Sequence, residues 1–277
     1  MTVVAPHPPI LQTHQLVKRF GGLCATDHAN LQVTAGEVHA LIGPNGAGKT
    51  TLIHQLSGAL ASTSGQVVFD GVDVTHTPIH YRALMGLVRS HQITSVFPRL
   101  PVLDNLALAV QAHQTGGEGR TSWLQRMALF WQSARSDAGR YHQAAEVAER
   151  VGLGAVLHTP AGALSHGEQR QLEVGLALAL RPKLLLLDEP LAGMGPEEGE
   201  RMVALLANLR GETTLLLVEH DMDAVFRLAD RISVLVSGRI IATDAPDAIR
   251  THPEVQRAYL GDEHVASDEA RQVEAVS

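Results

Sequence analysis

The chain has 277 residues, 45% of them hydrophobic, enough for one large domain or two small ones with a sizeable core. A formal net charge of −7 gives no global attraction to nucleic acid. Its single cysteine, Cys24, excludes an internal disulfide and reads as a small buried hydrophobe in a reducing compartment.

In chain order, the first residues hold Pro6, Pro8 and Pro9 without a charged-then-apolar pattern, so no secretory signal is read there. Residues 15–17, 29–33 and 65–69 read as strands of an antiparallel layer, with turns at Gly71 and at residues 62–65. Residues 38–42 form a short buried strand, and 49–60 read as the helix that follows it. A strand-like 86–89 then gives way to helical spacing between 103 and 180: Leu103, Leu106, Val110; Ala144, Val147, Ala148, Val151; Leu172, Leu176, Leu180. Core strands resume at 184–187 and 214–218 around a helix at 197–209, an alternation that implies parallel pairing. Residues 232–236 and 239–242, joined by Ser237 and Gly238, read as a hairpin, and 246–250 as the start of a closing helix. No apolar run approaches the roughly 20 residues that cross a bilayer. The expectation is a soluble, cytoplasmic chain whose membrane role requires another subunit. The fifteen histidines are scattered singly, and metal ligation by them is not expected.

Three motifs carry the chemistry. Gly43, Pro44, Asn45, Gly46, Ala47, Gly48, Lys49 and Thr50 fit G-x-x-x-x-G-K-[ST] between a strand and a helix. Glycines let backbone N–H groups point at phosphate oxygens, and the helix N-terminus adds its dipole. Lys49 would neutralise the β and γ phosphates, Thr50 would hold Mg²⁺ through its hydroxyl, and Thr51 completes the phosphate-binding set. Downstream, Leu164-Ser165-His166-Gly167-Glu168-Gln169 offers a serine hydroxyl and helix N-terminal amides as an anion site. Ser165 stands 19 residues before Leu184, which opens Leu184-Leu185-Leu186-Leu187-Asp188-Glu189. Asp188 ends an apolar strand, where a carboxylate is costly unless it serves a cation, and Mg²⁺ is that cation.

In this order and spacing the three motifs resemble the nucleotide-binding subunit of an ABC transporter, over residues 11–261. The resemblance implies an α/β fold: a P-loop (RecA-like) core with a mostly parallel sheet, an antiparallel β layer and an inserted α-helical subdomain. Residues 10–92 and 181–262 would form the core, 93–180 the helical subdomain, and 263–277 a disordered tail. It implies ATP hydrolysis with Mg²⁺. Glu189 matches the general base, Asp188 and Thr50 the metal ligands, and Gln92 the glutamine that reaches the metal or the lytic water. His220, 31 residues after Glu189, matches the switch histidine at the γ-phosphate. Ser165, Gly167 and Glu168 would face the nucleotide of an opposite subunit, so two chains sandwich two nucleotides. Phe20 is placed either to stack on adenine or to pack in the core. Two departures stand out: His166 replaces the first glycine of L-S-G-G-Q, and Gly195 replaces the acid that couples the two sites.

Arg89-Ser90-His91-Gln92 with Phe97-Pro98 and Leu103-Asp104-Asn105, the run of residues 219–235 and the run of residues 252–261 resemble the ATPases of branched-chain amino acid importers. A segment at 114–140 holding Trp123 and Trp131 is similar to the longer of that system's two ATPases. This implies a second, different ATPase subunit as partner and two transmembrane permease subunits. No nucleic acid partner is implied, and the expected location is peripheral, on the inner face of the cytoplasmic membrane. ATPases of urea or amide importers, of lipopolysaccharide export, and non-transport ABC ATPases of DNA repair or translation are the alternatives. A P-loop GTPase would need an N-K-x-D motif, which the chain lacks.

Overall fold

A computed structural model describes residues 9–90, 96–116 and 138–258. Gln92, both tryptophans and the stretch 263–277 lie outside the described residues. The described chain forms two units, residues 9–78 with 210–258, and residues within 79–209. Elements are numbered below in chain order.

The first unit is built on β4 (Val38–Ile42), whose five residues are all buried. It lies between two parallel neighbours, β9 (Thr214–Val218) and β10 (Arg231–Val236). A strand covered on both faces must be apolar throughout rather than alternating, which is the pattern of β4 and of the fully buried β9. β11 (Arg239–Asp244) returns antiparallel along β10. On this sheet Ala40, Ile42, Ile232 and Val234 pack with Val225 of α7 (Met222–Leu228) and Ile249 of α8 (Pro246–Thr251). Burying each of these valine and isoleucine side chains contributes about 1.5–3 kcal/mol.

A chain of polar groups runs through this sheet. His39 on β4 is fully buried; its Nδ1 meets Glu37 Oε1 and its Nε2 meets Ser233 Oγ, both at 2.8 Å. Ser233 in turn meets Thr243 at 2.7 Å, so the chain of bonds crosses three strands. Burial pushes the Glu37 carboxyl up. The His39 bond, the Thr34 N–H and nearby positive charge outweigh it and hold the group below its ordinary value.

The antiparallel layer of this unit runs in the order β2 (Leu23–Ala29), β1 (Pro9–Phe20), β5 (Ser64–Phe69), β6 (Val72–Asp73), with β3 (Gln32–Thr34) also on β1. The expected single strand over 29–33 is in fact two: β2 ends at Ala29 and β3 starts at Gln32. Local bonding explains the break. Asn30 accepts from Gln15 N–H, and the Thr13 hydroxyl accepts from Leu31 N–H, so both residues are diverted from a continuous ladder. Cys24, expected to be buried, is only half-buried on β2, with Sγ 3.3 Å from Thr26 O. Helix α1 (Lys49–Ser57) stops three residues short of the expected 60 because Gly58 adopts φ +82 and caps it.

The second unit carries two parallel strands, β7 (Leu87–Arg89) and β8 (Leu184–Asp188), with α2 (Ile79–Met85) leading into β7. Its helices α3 (Val102–Gly116), α4 (Ala138–Arg150) and α5 (His166–Ala179) pack on one another through Leu106, Val110, Ala144, Ala148, Leu172 and Leu176. A Cβ on Gly175 of α5 would stand 3.2 Å from Leu106 and Val151, so α5 approaches closely there. α6 (Pro196–Asn208) follows β8 and buries Met202, Val203, Leu205 and Leu206.

Candidate nucleotide site

In the first unit the glycine loop leaves β4 and enters α1 as expected. Two of its glycines are required by neighbours distant in sequence. A Cβ on Gly43 would lie 2.0 Å from the Leu235 carbonyl oxygen on β10, and one on Gly48, at φ +102, 2.2 Å from the Ala25 carbonyl on β2. Gly46, also at positive φ, faces open space. Ala47 O accepts from Gly238 N–H at 2.8 Å, tying the loop to the hairpin turn. That turn is held to β2 by Asp27 N–H on Gly238 O and by an Arg239–Asp27 ion pair. The Arg239 guanidinium, then His28, hold the Asp27 carboxyl below its ordinary value. A polar anchor comes from buried Gln55 on α1, which accepts from Thr26 Oγ1 at 2.7 Å and donates to Ser62 Oγ and Val17 O.

Lys49 is buried and curls over this loop, its ammonium donating to Gly43 O at 2.6 Å and Pro44 O at 2.9 Å. Asn45, Gly46 and Thr50 are exposed, with Pro44 and Thr51 half-buried. The loop is therefore a curl whose carbonyls hold the Lys49 ammonium. Phe20, at the end of β1, is 48% exposed, which excludes core packing; Lys18 Nζ lies 5.1 Å from its ring centre. His220 follows β9 and is exposed. Glu219 beside it is buried and accepts from His220 N–H, while Asp221 caps α7.

In the second unit, Leu184, Leu185, Leu186 and Leu187 are fully buried, and Asp188 emerges at the end of β8. The Arg89 guanidinium donates to its Oδ2 at 2.9 Å. Glu189 adopts φ +49. A left-handed backbone costs a non-glycine residue about 1–2 kcal/mol, and such strain gathers at functional positions.

The signature segment begins α5. Ser165 is its N-cap: Oγ accepts from Glu168 N–H at 3.2 Å, and the Glu168 carboxylate accepts from Ser165 N–H at 2.8 Å. This reciprocal box sets the helix start, and it gives Glu168 a role in the protein's own backbone. Gly167 N–H donates to Glu198 Oε1 on α6 at 3.2 Å; a Cβ on Gly167 would fall 2.7 Å from that carboxyl carbon. A cavity of about 420 Å³ opens here, lined by Ser165, Gly167, Glu168, Glu198, Arg150 and Arg201. His166 is exposed, yet its Nε2 lies 3.4 Å from Ala192 O in the loop after Glu189. Glu198 belongs to no motif and had no signal in the sequence; Arg89 stood in the stretch 89–92 that carries the resemblance, but nothing local pointed to its pairing with Asp188.

The family model described as "ABC transporter" matches residues 26–192, and that described as "Branched-chain amino acid ATP-binding cassette transporter" matches 239–265. The chain is 38% identical over 256 residues to the high-affinity branched-chain amino acid transport ATP-binding protein BraF of Pseudomonas aeruginosa, covering 92% of this chain and 98% of BraF. It is 39% identical to LivG of Escherichia coli K12, a protein of the same description, with the same coverage. Among solved structures, a nucleotide-free ATP-binding cassette from an ABC transporter superposes with a TM-score of 0.76 at 29% identity, covering 91% of this chain and 98% of that one. A structure of the ADP conformation of an ATP-binding cassette of an ABC transporter gives 0.77 at 30% identity, covering 91% and 99%.

Proposed function

The chain belongs to the ABC transporter family of ATP-binding proteins, and on that premise we propose that it is the ATP-hydrolysing subunit of an importer for branched-chain amino acids. The observation that carries this reading is the phosphate loop with its buried lysine, in a chain similar to transport ATP-binding proteins over 92% of its length. No helix among the described residues is long and apolar enough to cross a membrane.

In this reading the loop amides and Lys49 bind the β and γ phosphates, and Phe20, exposed at the end of β1, stacks on the adenine. Glu189 takes the proton of the attacking water, and its strained backbone supports a functional placement. His220 contacts the γ-phosphate, and Gln92 orients the water. Mg²⁺, when bound with ATP, would supply positive charge to offset the negative charge that develops on the phosphates. Its donors would be the Thr50 hydroxyl, Asp188 and Gln92. Among the described residues no group of three or more His, Cys, Asp or Glu could hold a metal ion. A hydroxyl and one carboxylate fit a hard cation that relies on phosphate oxygens and water for its remaining ligands.

Residues 10–92 and 181–262 act as the ATP-binding core and 93–180 as the signature subdomain. Ser165, Gly167 and Glu168 serve the nucleotide of a second ATPase subunit of a different kind, and two permease subunits bring the assembly to the inner face of the membrane. Gly195, which lacks the coupling carboxylate, supports a partner that supplies its own. The test is Glu189→Gln. Steady-state hydrolysis in the assembled complex should fall by roughly 10²-fold or more, because an amide cannot accept the proton. Near-normal turnover refutes the assignment. In light scattering, a tight ATP-driven homodimer of this variant with full activity of the parent homodimer refutes the heteromeric arrangement alone.

A further inference from the structure

Arg89 closes β7 and Asp188 closes β8. The parallel register that pairs Arg89 with Leu186 brings the guanidinium and the carboxylate to the same end of the strand pair. Their side chains are 9% and 11% exposed, with Nη2 to Oδ2 at 2.9 Å. Arg89 Nε is buried with no hydrogen-bond partner. A buried N–H left unmatched is a cost that hydrogen bonding at this position does not recover, so the side chain is not seated there for its own satisfaction. What the position does supply is a positive charge against one oxygen of Asp188, with the other oxygen left to a cation.

We propose that Arg89 is a resident counter-ion and positioning residue for Asp188, and that it sets how tightly Mg²⁺ accompanies the nucleotide. This rests on the reading of Asp188 as a metal ligand. In the metal-free chain the guanidinium neutralises a carboxylate that would otherwise be buried unpaired. When a divalent cation comes to the second oxygen, the fixed positive charge opposes it. Even with water-like screening that opposition weakens affinity on the order of 10-fold, so this is a lower bound for a pair so little exposed. The loss of orientation without Arg89 is smaller, because Asp188 has only two side-chain torsions and its backbone is fixed by strand pairing. The guanidinium therefore keeps metal affinity below what the carboxylate alone would give.

The experiment is calorimetric binding of ADP to the full chain, with Mg²⁺ and with EDTA, in the parent and in Arg89→Met, Arg89→Gln and Arg89→Lys. The ratio of the two affinities is the readout, since a purely structural role would move both together. Binding in EDTA should stay unchanged in all variants, and the ratio should rise about 10-fold or more in Arg89→Met and Arg89→Gln and return to the parental value in Arg89→Lys. A ratio that is unchanged or lower in the neutral variants overturns the proposal. Should Arg89→Met fail to fold, judged by circular dichroism, Arg89→Gln decides alone, as it keeps a donor to Asp188 without the charge. A parent chain that binds no ADP sinks the nucleotide reading instead.

Discussion

Gly46 and Gly48 lie two residues apart in one loop, both at positive φ, yet alanine should have different consequences at each. At Gly46 an added Cβ meets nothing within 4 Å, so Gly46→Ala costs only the backbone strain at φ +77, about 1–2 kcal/mol. At Gly48 the backbone sits at φ +102 and the Cβ would stand 2.2 Å from the Ala25 carbonyl oxygen. Ordinary contact begins near 3.4 Å, so β2 and the start of α1 would have to part by about 1 Å. The clash is with backbone, and β2 is held on β1, on α1 through Thr26–Gln55 and on the hairpin turn through Asp27. Overpacking of that kind adds about 1–3 kcal/mol to the strain. Gly48→Ala should therefore be less stable than Gly46→Ala by about 1–3 kcal/mol, several degrees in Tm by differential scanning calorimetry. It should also weaken ADP binding, because the loop N–H groups move with α1. Equal destabilisation by the two substitutions, or a more stable Gly48→Ala, would refute the claim that this glycine is required by β2.

Lys49→Ala should weaken ATP and ADP binding by roughly 10-fold or more, since a charge-assisted contact to phosphate is lost; equal affinities by calorimetry contradict the role. Glu37 gives a pH dependence. Its folded value lies below the ordinary 4.5, so the unfolded chain takes up the proton first on acidification. Its contribution should be fully present above the ordinary value and be lost as pH falls below it, through the lower folded value. Glu37→Gln should flatten that limb of the stability–pH curve and cost about 1 kcal/mol at neutral pH; an unchanged acid limb refutes the pairing with His39.

Much of the fold was legible because its signals are local. A glycine pattern between an apolar strand and a helix, four leucines before Asp188, and a serine three residues before Glu168 each state their geometry within a few residues. The antiparallel layer was less legible. Its break at Asn30 depends on bonds to Gln15 and Thr13 across the sheet, and Leu23–Ala29 alternates too weakly to announce a strand. Phe20 could equally have been core by its sequence; only its place at a hairpin end exposes it.

The sequence by itself determined the chemistry available: which residues can grip phosphate, which carboxylates can bind a metal or take a proton, and in what order they occur. Tertiary structure decided how each is held. It placed Ala25 and Leu235 where the loop needs glycine, laid Glu198 over the Gly167 amide, linked His166 to the loop after Glu189, and set Arg89 against Asp188. Each of these joins segments from 23 to 192 positions apart, the last pair being 99 residues apart. Local spacing encodes torsions and faces, whereas such contacts exist only once distant strands and helices have packed.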